Sequence, residues 1–337
     1  MQPVNPLEHP DWDATLARRP DFSFFHSAAW THVLVDTYAY TPLWICDNGA
    51  VLPLMEVNSW LTGRRGISLP FTDTCEPLCE SPGEFKSLFE QAVSLGRQRE
   101  WDSIELRGGH RFLGEAPASL SFYGHKLDLA EGESAIFAAM DGSARQAVRK
   151  AEKDGVKVEV SHTEEAMRQF FDLQCLTRKR HGLPPQPWNF FLNIWRHILS
   201  QKRGIVVLAE SGGAKIAGAV YFYAGTKAIY KYGASDLNRQ QSRPNNLVMW
   251  EGIKWLARNG IKTLDLGKTS LMNEGLRKFK LNLGTVEERT EYAKFNLRRN
   301  RFEVETDQIT GWHNRVFRNL PVFMSRKAGE LLYKHWA

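Results

Sequence analysis

The run Leu276–Gly284 (LRKFKLNLG) packs Arg277, Lys278 and Lys280 around Phe279. If this run is extended, alternation puts Lys278 and Lys280 on one face and Arg277, Phe279 and Leu281 on the other. A cation fixed in a dry site stabilises negative charge that develops in a transition state. The same lysines on an edge strand would instead deter aggregation. Asp265 stands between Leu264 and Leu266 and so points away from them, where it could act as a base or orient an amine. Glu105 holds the corresponding place in the first half, which speaks for a structural role.

Other candidates surround this pair. Ser143 is an expected N-cap for a helix over Ala144–Asp154, with Gly155 as its stop. Arg145, Arg149 and Lys153 recur at i,i+4 and line one stripe, with Lys150 nearby. Arginine forks suit phosphate oxygens, and a solvated helix face fits the same pattern. Arg178, Lys179, Arg180 and His181, followed by Gly182-Leu183-Pro184-Pro185, form a basic elbow before an aromatic helix, Trp188–Trp195. His181 is a possible general base there, or has no catalytic role. Tyr230, Tyr232 and Trp250 are read most simply as core aromatics, with Tyr232 kept as a candidate substrate contact.

The loop 239–246, Arg-Gln-Gln-Ser-Arg-Pro-Asn-Asn, enters a helix. A helix N-terminus binds phosphate through its free N–H groups. This loop has no glycine for close backbone approach, and Pro244 removes a donor. Arg243, Asn245 and Asn246 could still bind a substrate or an RNA end, although asparagine before a helix is commonly a cap.

The elements that must position these residues recur in both halves. The second half runs strand Gly204–Ala209, strand Ile216–Tyr223, strand Ala228–Gly233, a helix from Pro244 to about Asn259, then strand Lys262–Leu266. The first half runs Leu43–Cys46, Val51–Val57, Gly66–Pro70, a helix opened by Pro82, then Asp102–Leu106. The offset is nearly constant, since Ser103–Leu106 answers Thr263–Leu266 and Pro82 answers Pro244. A duplicated β-β-β-α-β unit follows. The expected fold class is α/β (α+β), with domains at 1–140 and 141–337 and a C-terminal helix from about 312.

Composition agrees with two domains. The chain has 337 residues, 42% hydrophobic and 24% charged, which excludes disordered and collagen-like classes. No apolar run reaches the roughly 18–20 residues that span a bilayer. The polar, acidic N-terminus shows no signal peptide, and four cysteines without a CxxC pair are expected as reduced thiols, so a cytoplasmic location is expected. The net charge of +6 hides an asymmetry. Residues 1–140 hold 10 Lys and Arg against 19 Asp and Glu, whereas 141–337 hold 34 against 19. A polyanionic partner for the second half is expected, whether RNA, a phosphorylated ligand or an anionic membrane surface. Partial neutralisation between the halves would explain the same asymmetry. The tail Asn314–Ala337 mixes cations with apolar residues, and is expected as a helix packed on the second sheet, with an anionic inner leaflet as the alternative.

The β-β-β-α-β unit resembles the core of the GNAT acyltransferase fold. Its duplication, with Ser143–Val156, Arg178–Pro187, Gly233–Trp250 and Leu264–Gly284 in this order, resembles the Fem-type aminoacyltransferases over about residues 20–335. The resemblance implies two tandem GNAT-like domains, each a mixed, mostly antiparallel sheet flanked by helices. It implies transfer of an aminoacyl group from aminoacyl-tRNA to an amine of a cell-envelope precursor, either peptidoglycan or a surface polysaccharide. It assigns Lys280 to the oxyanion and needs neither cofactor nor metal. Arg277, Lys278, Arg243, Asn246, Arg145 and Arg149 are the expected phosphate or RNA contacts, with Arg178 and His181 walling the acceptor cleft. Relatives acting on a phosphorylated muramyl peptide carry a lysine shortly after the first-domain helix tryptophan. Here Leu34 follows Trp30 at about that place, and no long heptad arm is present. An acyl-CoA-dependent N-acyltransferase, and a non-catalytic module for nucleic acid or membrane, remain the alternatives. Acyl group, acceptor and oligomeric state stay open.

Overall fold

The computed structural model describes residues 2–306 and 312–336. The chain forms two compact units. One takes residues 1–123, 289–308 and 332–337, and the other takes 124–288 and 309–331. The expected boundary at 140/141 therefore moves, and the chain changes unit at 123/124 and again at 288/289. Hydrogen bonding is the reason. Leu127 pairs with Leu264, which commits the end of strand Leu120–Asp128 to the second unit. Ala293 pairs with Leu106 and Asn296 with Ser103, which returns the chain to the first.

In the first unit, Met55–Ser59 pairs antiparallel with Gly63–Ile67, which pairs parallel with Ser103–Leu106. The expected strand Val51–Val57 is divided, because Pro53 interrupts the ladder. Its first part, Ala50–Leu52, makes a separate hairpin with Ile45–Asp47. The third strand lies at Gly63–Ile67 rather than 66–70. Helix Pro82–Gln98 is capped by the Ser81 side chain, which accepts from the Glu84 N–H. It buries Phe85, Leu88 and Ala92 at helical spacing against Ile104, Leu106 and Phe295. Gly96 has no room for a Cβ, which would stand 2.7 Å from Leu297 and 2.9 Å from Trp101. Glu56 ties this region together, accepting from Arg99 at 2.7 and 3.0 Å and from Trp101 Nε1 at 2.5 Å. Trp30, Val33 and Leu34, on helix Ala28–Tyr38, are fully buried, so Leu34 is a core residue.

In the second unit, Lys157–Ser161, Gly204–Ser211, Ala214–Ala224 and Lys227–Ser235 form an antiparallel meander. Lys227–Ser235 then pairs parallel with Thr263–Asp265, which pairs antiparallel with Lys126–Asp128. Helix Pro244–Arg258 crosses this sheet and buries Leu247, Val248, Ile253 and Leu256. The two units thus share one order: an antiparallel pair, a parallel step over a Pro-opened helix, and a last antiparallel partner. The tail is two helices, Trp312–Asn319 and Val322–Leu332, rather than one. Arg326 fastens the second to helix Glu164–Arg180, donating to Asp172 and to the Cys175 sulfur, rather than to the sheet. All four cysteines are free. No helix among the described residues is long and apolar enough to cross a membrane.

Candidate active site

A cleft of about 400 Å³ opens in the second unit where three sequence motifs converge. Helix Gly142–Lys153 gives one wall. Its cap is Asp141, two residues before the expected Ser143, and the Asp141 carboxylate accepts from the Ser143 N–H at 2.8 Å. Ala144, Val148 and Ala151 are buried. The stripe that faces the cleft is Ser143, Gln146, Ala147 and Lys150. Arg145 and Arg149 lie off this stripe, and Arg149 stacks over the Phe137 ring at 5.8 Å.

The second wall is the start of the Pro244 helix, through Arg243 and Asn246. Arg243 adopts a left-handed backbone (φ 55°), a conformation that glycine would take at less cost. The third wall is Phe279 and Asn282. The Asn282 amide donates to Ser143 Oγ at 3.3 Å, and its carbonyl accepts from the Asp141 N–H at 2.9 Å. No carboxylate is among the described residues that line this cleft, and of its two cations Lys150 is paired at 2.7 Å with Asp154, behind the wall.

The motif LRKFKLNLG is helical, not extended. Helix Glu274–Leu281 is capped by Asn273, whose side chain accepts from the Leu276 N–H at 3.1 Å. Helical spacing scatters the cations that alternation would have sorted. Arg277 turns to Glu287, donating at 2.7 and 2.9 Å. Lys278 is exposed, and Phe279 packs against the second core. Lys280 is buried, with 3% of its surface exposed. The cap and the apolar spacing Leu276, Phe279, Leu283 were the signals for this helix.

Lys280 Nζ donates to the carbonyls of Gly267 at 2.9 Å and Lys268 at 3.1 Å. Asp265 Oδ1 accepts from the Gly267 N–H at 2.7 Å. Gly267 itself needs positive φ (70°) to make this bend. Asp265 and Lys280 therefore meet through one turn, Asp265 shaping it and Lys280 gripping its carbonyls. Two of the three ammonium protons are committed there, which fixes the charge in place.

Sequence reasoning missed His125. It is fully buried, 0% exposed, on the strand that pairs with Thr263–Asp265. Its Nε2 lies 3.3 Å from Glu287 Oε2, the carboxylate already held by Arg277. Neither ring nitrogen has an aligned hydrogen-bond partner among the described residues. A buried polar group left so costs about 1–3 kcal/mol. Burial, and then the Lys280 charge, hold its pKa below the usual histidine value, against the pull of Glu287. Its signal was alternation alone, since His125, Leu127 and Leu129 share the core face.

Of the expected site residues only Arg243 and Asn246 line the cleft; Lys280, Asp265, Arg277 and Lys278 do not, and the remaining candidates lie elsewhere as well. Arg178 Nε donates to the Pro184 carbonyl at 3.2 Å and closes the elbow. His181 caps helix Glu164–Arg180, and its carbonyl accepts from Asn314 at 3.3 Å. Tyr232 lies in an aromatic layer, its ring 5.6 Å from Phe191 and 6.4 Å from Phe190.

Residues 140–280 match the family model described as an acetyltransferase (GNAT) domain. A stretch of 57 residues, 17% of the chain, is 37% identical to a lipid II:glycine glycyltransferase from Staphylococcus haemolyticus, and spans 14% of that protein's length. A solved structure described as FemX superposes with a TM-score of 0.67 over 86% of this chain and 95% of its own, at 15% identity. The C-terminal domain of a putative lysylphosphatidylglycerol synthetase from Agrobacterium fabrum superposes with a TM-score of 0.58 over 85% of this chain and 90% of its own, at 14% identity. Residues 140–280 therefore match a GNAT acetyltransferase domain, and the fold of the chain is similar to that of FemX.

Proposed function

We propose that this acyltransferase moves an aminoacyl group from aminoacyl-tRNA to an amine of a peptidoglycan-type precursor. The observation that carries the reading is the carboxylate-free cleft, where Lys150, Arg243 and Asn246 converge at a helix N-terminus. These groups suit the phosphates and ribose hydroxyls of an RNA end. The acceptor class follows from the name of the Staphylococcus relative.

In this reaction the acceptor nitrogen attacks the ester carbonyl, and the C–N bond forms as the oxygen turns anionic. The C–O bond to the ribose then breaks, and the amine proton passes to the departing ribose oxygen. Lys280, anchored by two backbone carbonyls, is the preorganised cation assigned to the oxyanion. Incubation with charged tRNA and a lipid-linked muramyl peptide should yield a labelled aminoacyl product. Absence of transfer with every charged tRNA would sink the reading.

The matched acetyltransferase domain favours a second reading, an acyl-CoA donor on an amine. The glycine-free loop before Pro244 opposes it, because close backbone approach to a pyrophosphate needs glycine. Calorimetry with acetyl-CoA separates the two, since tight binding would favour CoA.

A further inference from the structure

A second cavity, of about 360 Å³, lies in the same unit and shares no lining residue with the cleft. That volume suits a small ligand. Helix Glu164–Arg180 and the start of helix Trp188–Ile194 build its aromatic side. Phe171 and Trp188 meet there with ring centroids 5.4 Å apart. Each carries a guanidinium. Arg168 lies 4.1 Å from the centre of the Trp188 ring, and Arg326 lies 5.0 Å from that of Phe171. Flat cations of this kind, like the rings beneath them, offer stacking surfaces.

Gln186 supplies the hydrogen-bonding group. It is 6% exposed, yet its amide has no hydrogen-bond partner among the described residues. Buried amides are ordinarily paired. Its backbone is pinned, because Pro185 and Pro187 flank it and restrict the chain on both sides. Helix Val322–Leu332 sits directly on this elbow, where a Cβ on Gly329 would collide with the Pro185 carbonyl. Charge at the rim is balanced. Arg326 is held by Asp172 at 2.5 Å, Glu330 by Lys327 at 2.8 Å, and Arg168 faces Glu164 at 3.5 Å. The cavity therefore favours a flat, uncharged group with a donor beside an acceptor over a bare phosphate.

We propose that this cavity is a nucleobase site, where the Gln186 amide pairs with the edge of an adenine ring stacked on the Arg168–Trp188 platform. A glutamine amide places an acceptor beside a donor, which matches the adenine amino group and its neighbouring ring nitrogen. Stacking accepts any base, and the amide edge selects among them. The base belongs either to an unpaired RNA nucleotide or to a free adenine nucleotide. The transfer reaction proposed above does not depend on this site, so either can fail alone.

Calorimetry on the full chain with adenosine monophosphate, ribose 5-phosphate and tetraadenylate tests the site. The monophosphate should bind, and ribose 5-phosphate should not. Gln186→Leu should weaken the monophosphate about tenfold, whereas Lys150→Ala, in the cleft, should leave it unchanged. Tetraadenylate that binds tenfold tighter than the monophosphate, and loses that affinity in Gln186→Leu, assigns the base to RNA; any other result with it assigns a free nucleotide. No binding of the monophosphate at millimolar concentration overturns the proposal. So does equal binding of ribose 5-phosphate, unchanged affinity in Gln186→Leu, or a loss in Lys150→Ala. N-acetylglucosamine offers the same donor and acceptor on an acetamido group, and its binding in preference to the monophosphate also overturns the proposal. A further arm follows the Gln186 side-chain amide protons by NMR in the wild type and does not depend on the folding of a variant. They should shift on addition of the monophosphate, and unmoved resonances overturn the proposal.

Discussion

Lys280 carries the most specific expectation at the scale of a single residue. Removing one preorganised oxyanion donor typically lowers kcat by about 10²–10³, so Lys280→Ala should show a loss of that order with little change in KM. Steady-state kinetics with charged tRNA decides it. A rise in KM with kcat unchanged would instead mean that the lysine contributes only to binding. Arg243→Ala should behave oppositely, weakening donor binding with little gain in backbone freedom, because alanine pays the same cost as arginine for the left-handed conformation. Residue type was legible for both, because a cation cluster and a glycine-free loop are visible in letters. Orientation was not. Arg277 looked like a phosphate contact until Glu287, ten positions on, claimed its guanidinium. His125 gave only the pattern of a core position, and chain order does not place Glu287, 3.3 Å from its ring, beside it.

Elements decide how such residues are presented. The helix Glu274–Leu281 has only eight residues, and its cap is the side chain of Asn273. Asn273→Ala should cost about 1 kcal/mol of stability, measured by urea denaturation. It should also reduce transfer more than that loss implies, because the Lys280 ammonium rides on this helix. Alternation and helical periodicity compete over so short a run, so the extended alternative stays open from spacing alone and the Asn273 cap is the deciding cue. Proline had the converse effect at position 53, where one ring divides the expected Val51–Val57 strand. In the first unit, burial raises the Glu56 pKa, but hydrogen bonds from Arg99 and Trp101, and the Arg99 charge, outweigh it and hold the carboxyl below its usual value. A depressed native pKa gives stability that is present above the unfolded value and lost as pH falls through the native one. Glu56→Gln should therefore cost about 2 kcal/mol at neutral pH, and the gap to the wild type should narrow as the solution becomes more acidic than about pH 4.5. Thermal melts at several pH values check the sign.

Over the whole chain, charge and topology were the readable quantities. The excess of cations after residue 140 should make RNA binding fall steeply with salt, and Lys150→Ala should reduce the slope of log K against log salt by about one. Filter binding at graded salt measures both. The repeat was legible because each copy keeps a Pro-opened helix between its strands. The exchange of strands was not, since pairing across long sequence separations leaves no local signature. That exchange has a consequence during synthesis. The strand Ser103–Leu106 must wait for residues 293–296 before its free edge is paired. Tyr40 must wait for the Lys334 carbonyl, and Ser59 for the His335 ring. The meander and helix of residues 157–265 lie wholly between these points and can condense while the earlier strands still lack their partners. On the ribosome the half that is made first should finish second, and its exposed strand edge is where a nascent chain of this protein would need a chaperone.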